Sequence, residues 1–467
     1  MPKYIHVDLG MYTTKRGHSW HLAERCVKTA EDLGFDSVVL CKSTVEKETM
    51  AENSSGSFGN QKFKFVDYIG NTHRFSLYDA GQVRWPIIPF RTLPGMPRAW
   101  REVPGLLKGR VAGVRLQQVQ CALGKLTEQL AAYYSSLQLE RGDVVLFATS
   151  NEFEMAAHTQ AIARLGTGVD WRVVFYFHWG IFSTASSSRV CSPKSRIMMM
   201  RDSIQASWKY MKARQKNSHL FAVSSGLARQ LTPIIEEEVI ELPVPATDSG
   251  LAVLPTPLDP VKNGLVRVGI AAFRNEQGVE SLPRILNNVI SAESRSTTVF
   301  VIPCQKNTEL QIRSLVEADK LQSCEFWRYP LGADYSTWMN SCEAILLPYC
   351  SERYNVSSGR ASGVALEAAV SGKVLIVPKK TSLATELCNE DLLDEVVASG
   401  QLSLMPRGNW VGYSYQSMEE LKSKILAVTQ NVTKIQAIAS HQTESIRHQT
   451  NPSHFIAKVT GCENPTN

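Results

Sequence analysis

The chain has 467 residues, 43% of them apolar, and its 50 Lys and Arg against 44 Asp and Glu leave a net charge of +6. That balance excludes intrinsic disorder, collagen-like repeats and coiled coils, and it gives duplex nucleic acid no general basic surface to meet. At roughly 100–200 residues per domain the length points to two domains.

The ten cysteines contain no C-x-x-C pair, so neither a zinc site nor a disulfide framework is expected, and a reducing compartment suits them. No apolar run approaches the ~20 residues that span a bilayer. The opening MPKYIHVDLG runs into a strand pattern without a charged-then-apolar leader. The expected location is the cytoplasm, with peripheral contact at the inner membrane face left open.

In chain order, short apolar runs alternate with amphipathic stretches, the pattern of a parallel sheet covered by helices. Strands are predicted at Tyr4–Leu9, Ser37–Cys41, Asp143–Ser150, Trp171–His178, His219–Ser225 and Val239–Pro245. Helices are predicted at Val111–Leu139, Glu152–Leu165 and Ser195–Gln215. Residues 43–110 break the rhythm with Gly, Pro, Ser and Asn and read as a large insertion of loops and hairpins.

The stretch ATDSGLAVLPTPLDPVKNG then has the composition of an interdomain linker. A second series follows, with strands at Val266–Ala272, Thr298–Cys304, Cys324–Tyr329, Ala344–Tyr349 and Val374–Pro378. Its helices are predicted at Val279–Ser291, Thr308–Leu321, Ala333–Cys342, Ser362–Ser371 and Ser382–Cys388. Residues 1–250 thus form one Rossmann-like domain and 264–416 a second. The mostly helical 417–467 is placed to cross back to the first. Two doubly wound domains in series are expected to face each other across a cleft at the carboxyl ends of their strands, where such folds bind ligands.

The most informative stretch is EAILLPYCSERYNVSSGRASGVALEAAVSGKVLIVPKKTSLATE, residues 343–386. Ser362-Gly363 lets the backbone come close to a ligand, and the free N–H groups of the following helical turn, through Val364, offer an anion site. Glu367 lies about one turn further in, where a carboxylate can accept two hydrogen bonds from a vicinal diol such as a ribose. The alternative is that Glu367 decorates an exposed helix face. Upstream, Arg274 and Gln277 in GIAAFRNEQG follow the first strand of the second domain; Arg274 either forks onto a phosphate or makes a surface ion pair at a helix start.

These residues resemble the donor-binding segment of retaining GT-B glycosyltransferases of the family 4 type, whose pattern is a strand with Pro, a loop, S-G-x-x-x-E-A, then G-K and a strand. The resemblance implies a GT-B fold of two Rossmann-like domains. It implies that Glu367 holds the ribose of a nucleotide-sugar, and that Ser362, Gly363 and Val364, with Arg274 and Gln277, bind its diphosphate. In the family pattern G-x-x-x-x-R-x-x-K-G the residue at Gln277 is a lysine that neutralises the leaving phosphate. The first of the family's paired glutamates falls on Gly359. Some branches of the family carry a tyrosine and an arginine before S-G, and Tyr354 and Arg360 resemble that variant.

In the first domain, Gly17 and His18 follow the first strand as the family's acceptor-side glycine loop does. His18 either faces that acceptor side or is simply an N-terminal helix residue. His178, after the strand WRVVFYFH, stands where the family has a histidine near the reacting sugar; its bland alternative is an imidazole satisfied by backbone. The resemblance implies metal-independent transfer of a hexosyl group, with retention, from a nucleoside-diphosphate sugar to a glycan, lipid or small-molecule hydroxyl.

No cofactor and no metal are expected: there is no D-x-D tripeptide, P-loop, G-x-S-x-G or H-E-x-x-H. The neutral residues at 277 and 359 keep alive a non-catalytic sugar- or partner-binding subunit, and the scaffold also suits an epimerase or hydrolase. Between Arg189 and Lys216 lie eight Lys or Arg and one acid, Asp202. This run is read either as a solvated helix face or as a contact for anionic lipid or a lipid-linked acceptor.

Overall fold

A computed structural model describes residues 1–8, 18–42, 63–66, 123–148, 152–166, 170–177, 193–246, 265–273, 277–329, 335–351, 354, 362–388, 390–401 and 410–462. The chain divides into two compact units, Met1–Val223 with Leu227–Leu242 and Ile456–Asn467, and Ser224–Gly226 with Pro243–Phe455.

Among the described residues the first unit holds seven strands: β1 (Lys3–Val7), β2 (Asp36–Lys42), β3 (Phe63–Val66), β4 (Val144–Phe147), β5 (Arg172–Phe177), β6 (Ser218–Ala222) and β7 (Ile240–Glu241). Their order is β3-β2-β1-β4-β5-β6-β7, and every pairing is parallel. A parallel sheet covered on both faces wants continuous apolar runs, and β4 and β5 supply them, with Val144–Phe147 and Val173–Phe177 all buried. Phe63–Val66 corrects one expectation within the insertion: it pairs parallel to β2 as an edge strand, so these residues are not part of a hairpin.

Two of the buried polar side chains of this unit, Asp143 and His158, have structural partners. The Asp143 carboxylate takes the N–H of Lys3 at 2.6 Å and that of Glu140 at 2.8 Å, tying the start of β1 beside β4. His158 lies under Phe147, ring centroids 4.0 Å apart, with its Nδ1 2.9 Å from the Tyr134 hydroxyl. The helix Pro193–Arg214 buries Ile204, Trp208 and Met211, while Lys209 and Lys212 pair with Glu236 and Glu237 at 2.9 and 3.4 Å. The basic run is thus partly neutralised by the residues after the next helix, Ser225–Ile235. Among the described residues no helix is long and apolar enough to cross a membrane.

The second unit holds β8 (Val266–Ile270), β9 (Thr298–Cys304), β10 (Cys324–Arg328), β11 (Ala344–Leu346), β12 (Val374–Pro378) and β13 (Gly412–Tyr415), ordered β10-β9-β8-β11-β12-β13 and all parallel. Period-two alternation sorts their side chains into two cores. Val268, Phe300, Ile302, Leu346 and Ile376 enter the core under the helices Leu282–Val289 and Met418–Gln430. Val301, Ile345, Leu375 and Val377 enter the opposite core, under Tyr335–Asn340 and Gly363–Val370. Gly269 has a reason to be glycine: a Cβ there would lie 2.8 Å from the Ile345 Cδ1 and 3.1 Å from the ring of Trp338, which is wholly buried.

In sequence the order of this sheet is 3-2-1-4-5-6. The direction of winding reverses between β8 and β11, and sheets of this kind bind ligands at the carboxyl ends of the strands flanking such a reversal.

Candidate functional site

The two strands at this reversal are fastened at their carboxyl ends. Gln277-Gly278 opens the short 3-10 turn Val279–Ser281 after β8, and Gly278 has φ +86°. A Cβ on it would sit 2.1 Å from the Pro348 carbonyl oxygen, so only glycine permits the turn to rest on Leu347-Pro348-Tyr349 after β11.

The neighbouring side chains form a hydrogen-bonded chain. The Gln277 amide Nε2 donates to the Tyr349 hydroxyl at 3.3 Å, and that hydroxyl is 3.1 Å from the Ser362 Oγ. The Ser362 Oγ accepts the Ala365 N–H at 3.2 Å and so caps the helix Gly363–Val370. The N–H groups of Gly363 and Val364 precede the first intrahelical bond and are the anion-facing donors of this helix start. The Val364 side chain is buried in the core below, so its contribution to a ligand is through the backbone. Tyr354 lies over Tyr349 at 4.5 Å, and its carbonyl takes the Ser382 N–H at 2.6 Å, which draws the start of the helix Ser382–Leu387 to the same loop.

Glu367 sits one turn into the capped helix, beside Tyr335. Burial, and after it the Glu367 charge, raises the Tyr335 phenol well above its ordinary range and keeps it protonated. Aromatic rings wall the same edge. Phe273, following β8, stacks on Tyr329 at 4.9 Å and meets Trp338 edge-on at 6.0 Å, while Tyr335 lies 5.6 Å from Trp338.

Two buried side-chain polar atoms of this cluster, Gln277 Oε1 and Trp338 Nε1, have no hydrogen-bond partner among the described residues, while the Tyr335 hydroxyl is turned to the Glu367 carboxylate. An unpaired buried polar atom costs about 1–3 kcal/mol, and a polar ligand or water at this edge would supply the missing partner.

The structure therefore gathers Gln277, Ser362, Gly363, Val364 and Glu367 at one edge of one sheet. Gly17, His178 and Arg274, with Gly359 and Arg360, lie outside the described residues, and His18 begins the helix His18–Asp32. Lys373, of the G-K pair behind the helix, stands at the opposite, amino edge of the sheet. Its Nζ donates to the Asn340 carbonyl at 3.3 Å, and burial lowers its pKa. Sequence reasoning missed Tyr335, Trp338 and Tyr329, which it counted as ordinary members of helices and strands, and Phe273, which it left in the loop after the first strand. Their only signal was that each lies at or just after a strand's carboxyl end or on the helix leading into β11.

No protein-family model matches the chain, and no curated protein matches it by sequence. Among solved structures it is similar to a sucrose-phosphate synthase from Thermosynechococcus elongatus, 10% identical with a TM-score of 0.56, over 98% of this chain and 97% of that one. It is similar also to a glycosyltransferase from Rickettsia africae ESF-5, 11% identical, TM-score 0.56, over 98% and 96%. A third is Anabaena HepE, solved in complex with UDP and glucose, 12% identical, TM-score 0.51, over 99% of both chains. The likeness establishes the fold: the chain has the two-domain α/β GT-B architecture over nearly its whole length.

Proposed function

We propose that the protein is a glycosyltransferase that takes a hexosyl group from a nucleoside-diphosphate sugar. The observation that carries this reading is the cluster at the β8/β11 reversal: a capped helix start, a carboxylate one turn in, and a buried Gln277 acceptor without a partner. The free N–H groups of Gly363 and Val364 suit a diphosphate, with Arg274 as its cation. Glu367 suits the two hydroxyls of the adjoining ribose. The Anabaena neighbour's complex with UDP and glucose is in keeping with such a donor.

The transfer is metal-independent and retains configuration. The acceptor hydroxyl attacks the anomeric carbon from the side on which the bond to the β-phosphate oxygen breaks, and that phosphate takes the hydroxyl's proton. Charge builds on the leaving phosphate as the bond lengthens, which is where helix N–H groups and a guanidinium lower the barrier. His178 and the Gly17-His18 loop serve the sugar and acceptor side, and the acceptor is a glycan, a lipid-linked or a small-molecule hydroxyl. The protein works in the cytoplasm; the remaining basic residues of 189–216 would serve at an anionic membrane surface.

The test is incubation with UDP-, GDP- and ADP-sugars, read first as a shift in melting temperature and then by mass spectrometry for an acceptor-dependent product. Glu367→Ala is expected to abolish the ligand-induced shift; if the shift survives, the ribose assignment is wrong. One observation favours a second reading, a sugar-binding subunit without turnover: Gln277 is neutral where the resembled family carries a cation, and one N–H of its amide is already given to Tyr349. Stabilisation by a donor without any product would select that reading.

A further inference from the structure

Gln277 is held in a way that limits what it can meet. The Gly278 turn fixes its backbone against Pro348, and one N–H of its Nε2 is given to the Tyr349 hydroxyl. Its Oε1 is a buried atom that only accepts and has no partner. Phosphate oxygens are acceptors as well, so a diphosphate lodged on the helix start gains nothing from Oε1 and is repelled by its partial charge.

A nucleoside-diphosphate sugar presents O–H donors in two places, its ribose and its transferred sugar. The ribose belongs with Glu367, a full turn into the capped helix. Gln277 lies beyond the helix start on the other side of Tyr349, reached through the chain from Ser362 to Tyr349 to Gln277. Resting on the donor site assigned above, we infer that Gln277 accepts a hydroxyl of the transferred sugar and sets sugar specificity, and does not bind the diphosphate. Tyr349 positions the amide by accepting its N–H while its hydroxyl stays in hydrogen-bond contact with the Ser362 Oγ. The charge the site lacks at 277 is thereby exchanged for hydroxyl recognition.

The experiment compares binding of UDP with UDP-glucose, GDP with GDP-mannose and ADP with ADP-glucose, by calorimetry, for the wild type and Gln277→Met. Methionine keeps the length of the side chain and removes its acceptor, and the melting temperature of the unliganded variant checks that it folds. The expected result is that whichever pair binds loses about tenfold in affinity for the nucleotide-sugar while affinity for the bare diphosphate stays within twofold. A second measurement uses deoxy-sugar analogues of the donor. The analogue lacking the recognised hydroxyl is expected to bind wild type and Gln277→Met alike, the signature of a coupled pair. Equal losses for diphosphate and nucleotide-sugar would put Oε1 against the nucleotide and overturn the inference while leaving the donor site standing. If none of the six ligands binds the wild type, the donor site itself falls and the inference with it.

Discussion

The described histidines of the first unit that lie deepest, His6 and His158, are core residues, and burial lowers each to about 3. An unfolded histidine titrates near 6.5. Between those two values the unfolded chain takes up protons that the folded chain refuses. Stability is therefore full above about pH 6.5 and falls on acidification towards pH 3, by roughly 1.4 kcal/mol per pH unit for each ring. His158→Gln is expected to make the slope shallower by one ring's share, measured as the urea midpoint between pH 7 and pH 4. An unchanged slope would mean that the imidazole beneath Phe147 reaches water. At this scale Glu367 and Ser362 were legible because a short polar motif, S-G-x-x-x-E, carries its own local geometry. Tyr335 and Trp338 were not, because an aromatic residue on a helix reads the same whether its hydroxyl or indole N–H faces core or ligand; only the fold decides.

The helix Gly363–Val370 shows how one element serves structure and site together. Its sequence GVALEAAV buries Val364, Ala365, Leu366, Ala368, Ala369 and Val370, leaving Glu367 as the one side chain that can serve a ligand along its length. Ser362→Ala removes the oxygen that caps Ala365 and touches Tyr349. The expected cost is about 1 kcal/mol in urea unfolding, together with faster hydrogen exchange in the first turn. A variant with unaltered exchange there would show the cap to be idle.

Most strands were legible as elements because parallel strands buried on both faces need unbroken β-branched and aromatic runs. Thr298–Cys304 and Val374–Pro378 were read to the residue. Several others were read too long at the carboxyl end. Leu347-Pro348-Tyr349 is as apolar as a strand but turns away to meet Gly278. The strand Gly412–Tyr415 escaped notice because GYSY has no apolar run, although all four residues are buried. The helix Ser225–Ile235 escaped because its first residue, Ser225, was counted with the strand before it and Pro233 lies inside it.

For the molecule as a whole, the first unit depends on residues from far along the chain. Arg172, at the start of β5, donates from Nε to the Val459 carbonyl at 2.7 Å and from Nη2 to that of Lys458 at 3.2 Å. It thereby caps the helix Pro452–Thr460, whose last residues count with the first unit. A planar fork matches two successive helix carbonyls, which a lysine cannot do. Arg172→Ala is expected to lower the stability of the first unit by about 1–2 kcal/mol. Amide exchange should quicken at 456–460 and stay unaltered in β8–β13, and Arg172→Lys should recover only part of the loss. Uniform effects across both units would refute this division of labour.

Vectorial synthesis gives that cap a temporal meaning. The strands β1 to β7 leave the ribosome early, yet the carbonyls that Arg172 awaits are made only after the whole of β8 to β13 has emerged. Until then a nascent first unit carries an unquenched guanidinium beside β5, and its final annealing is timed by the translation of its neighbour.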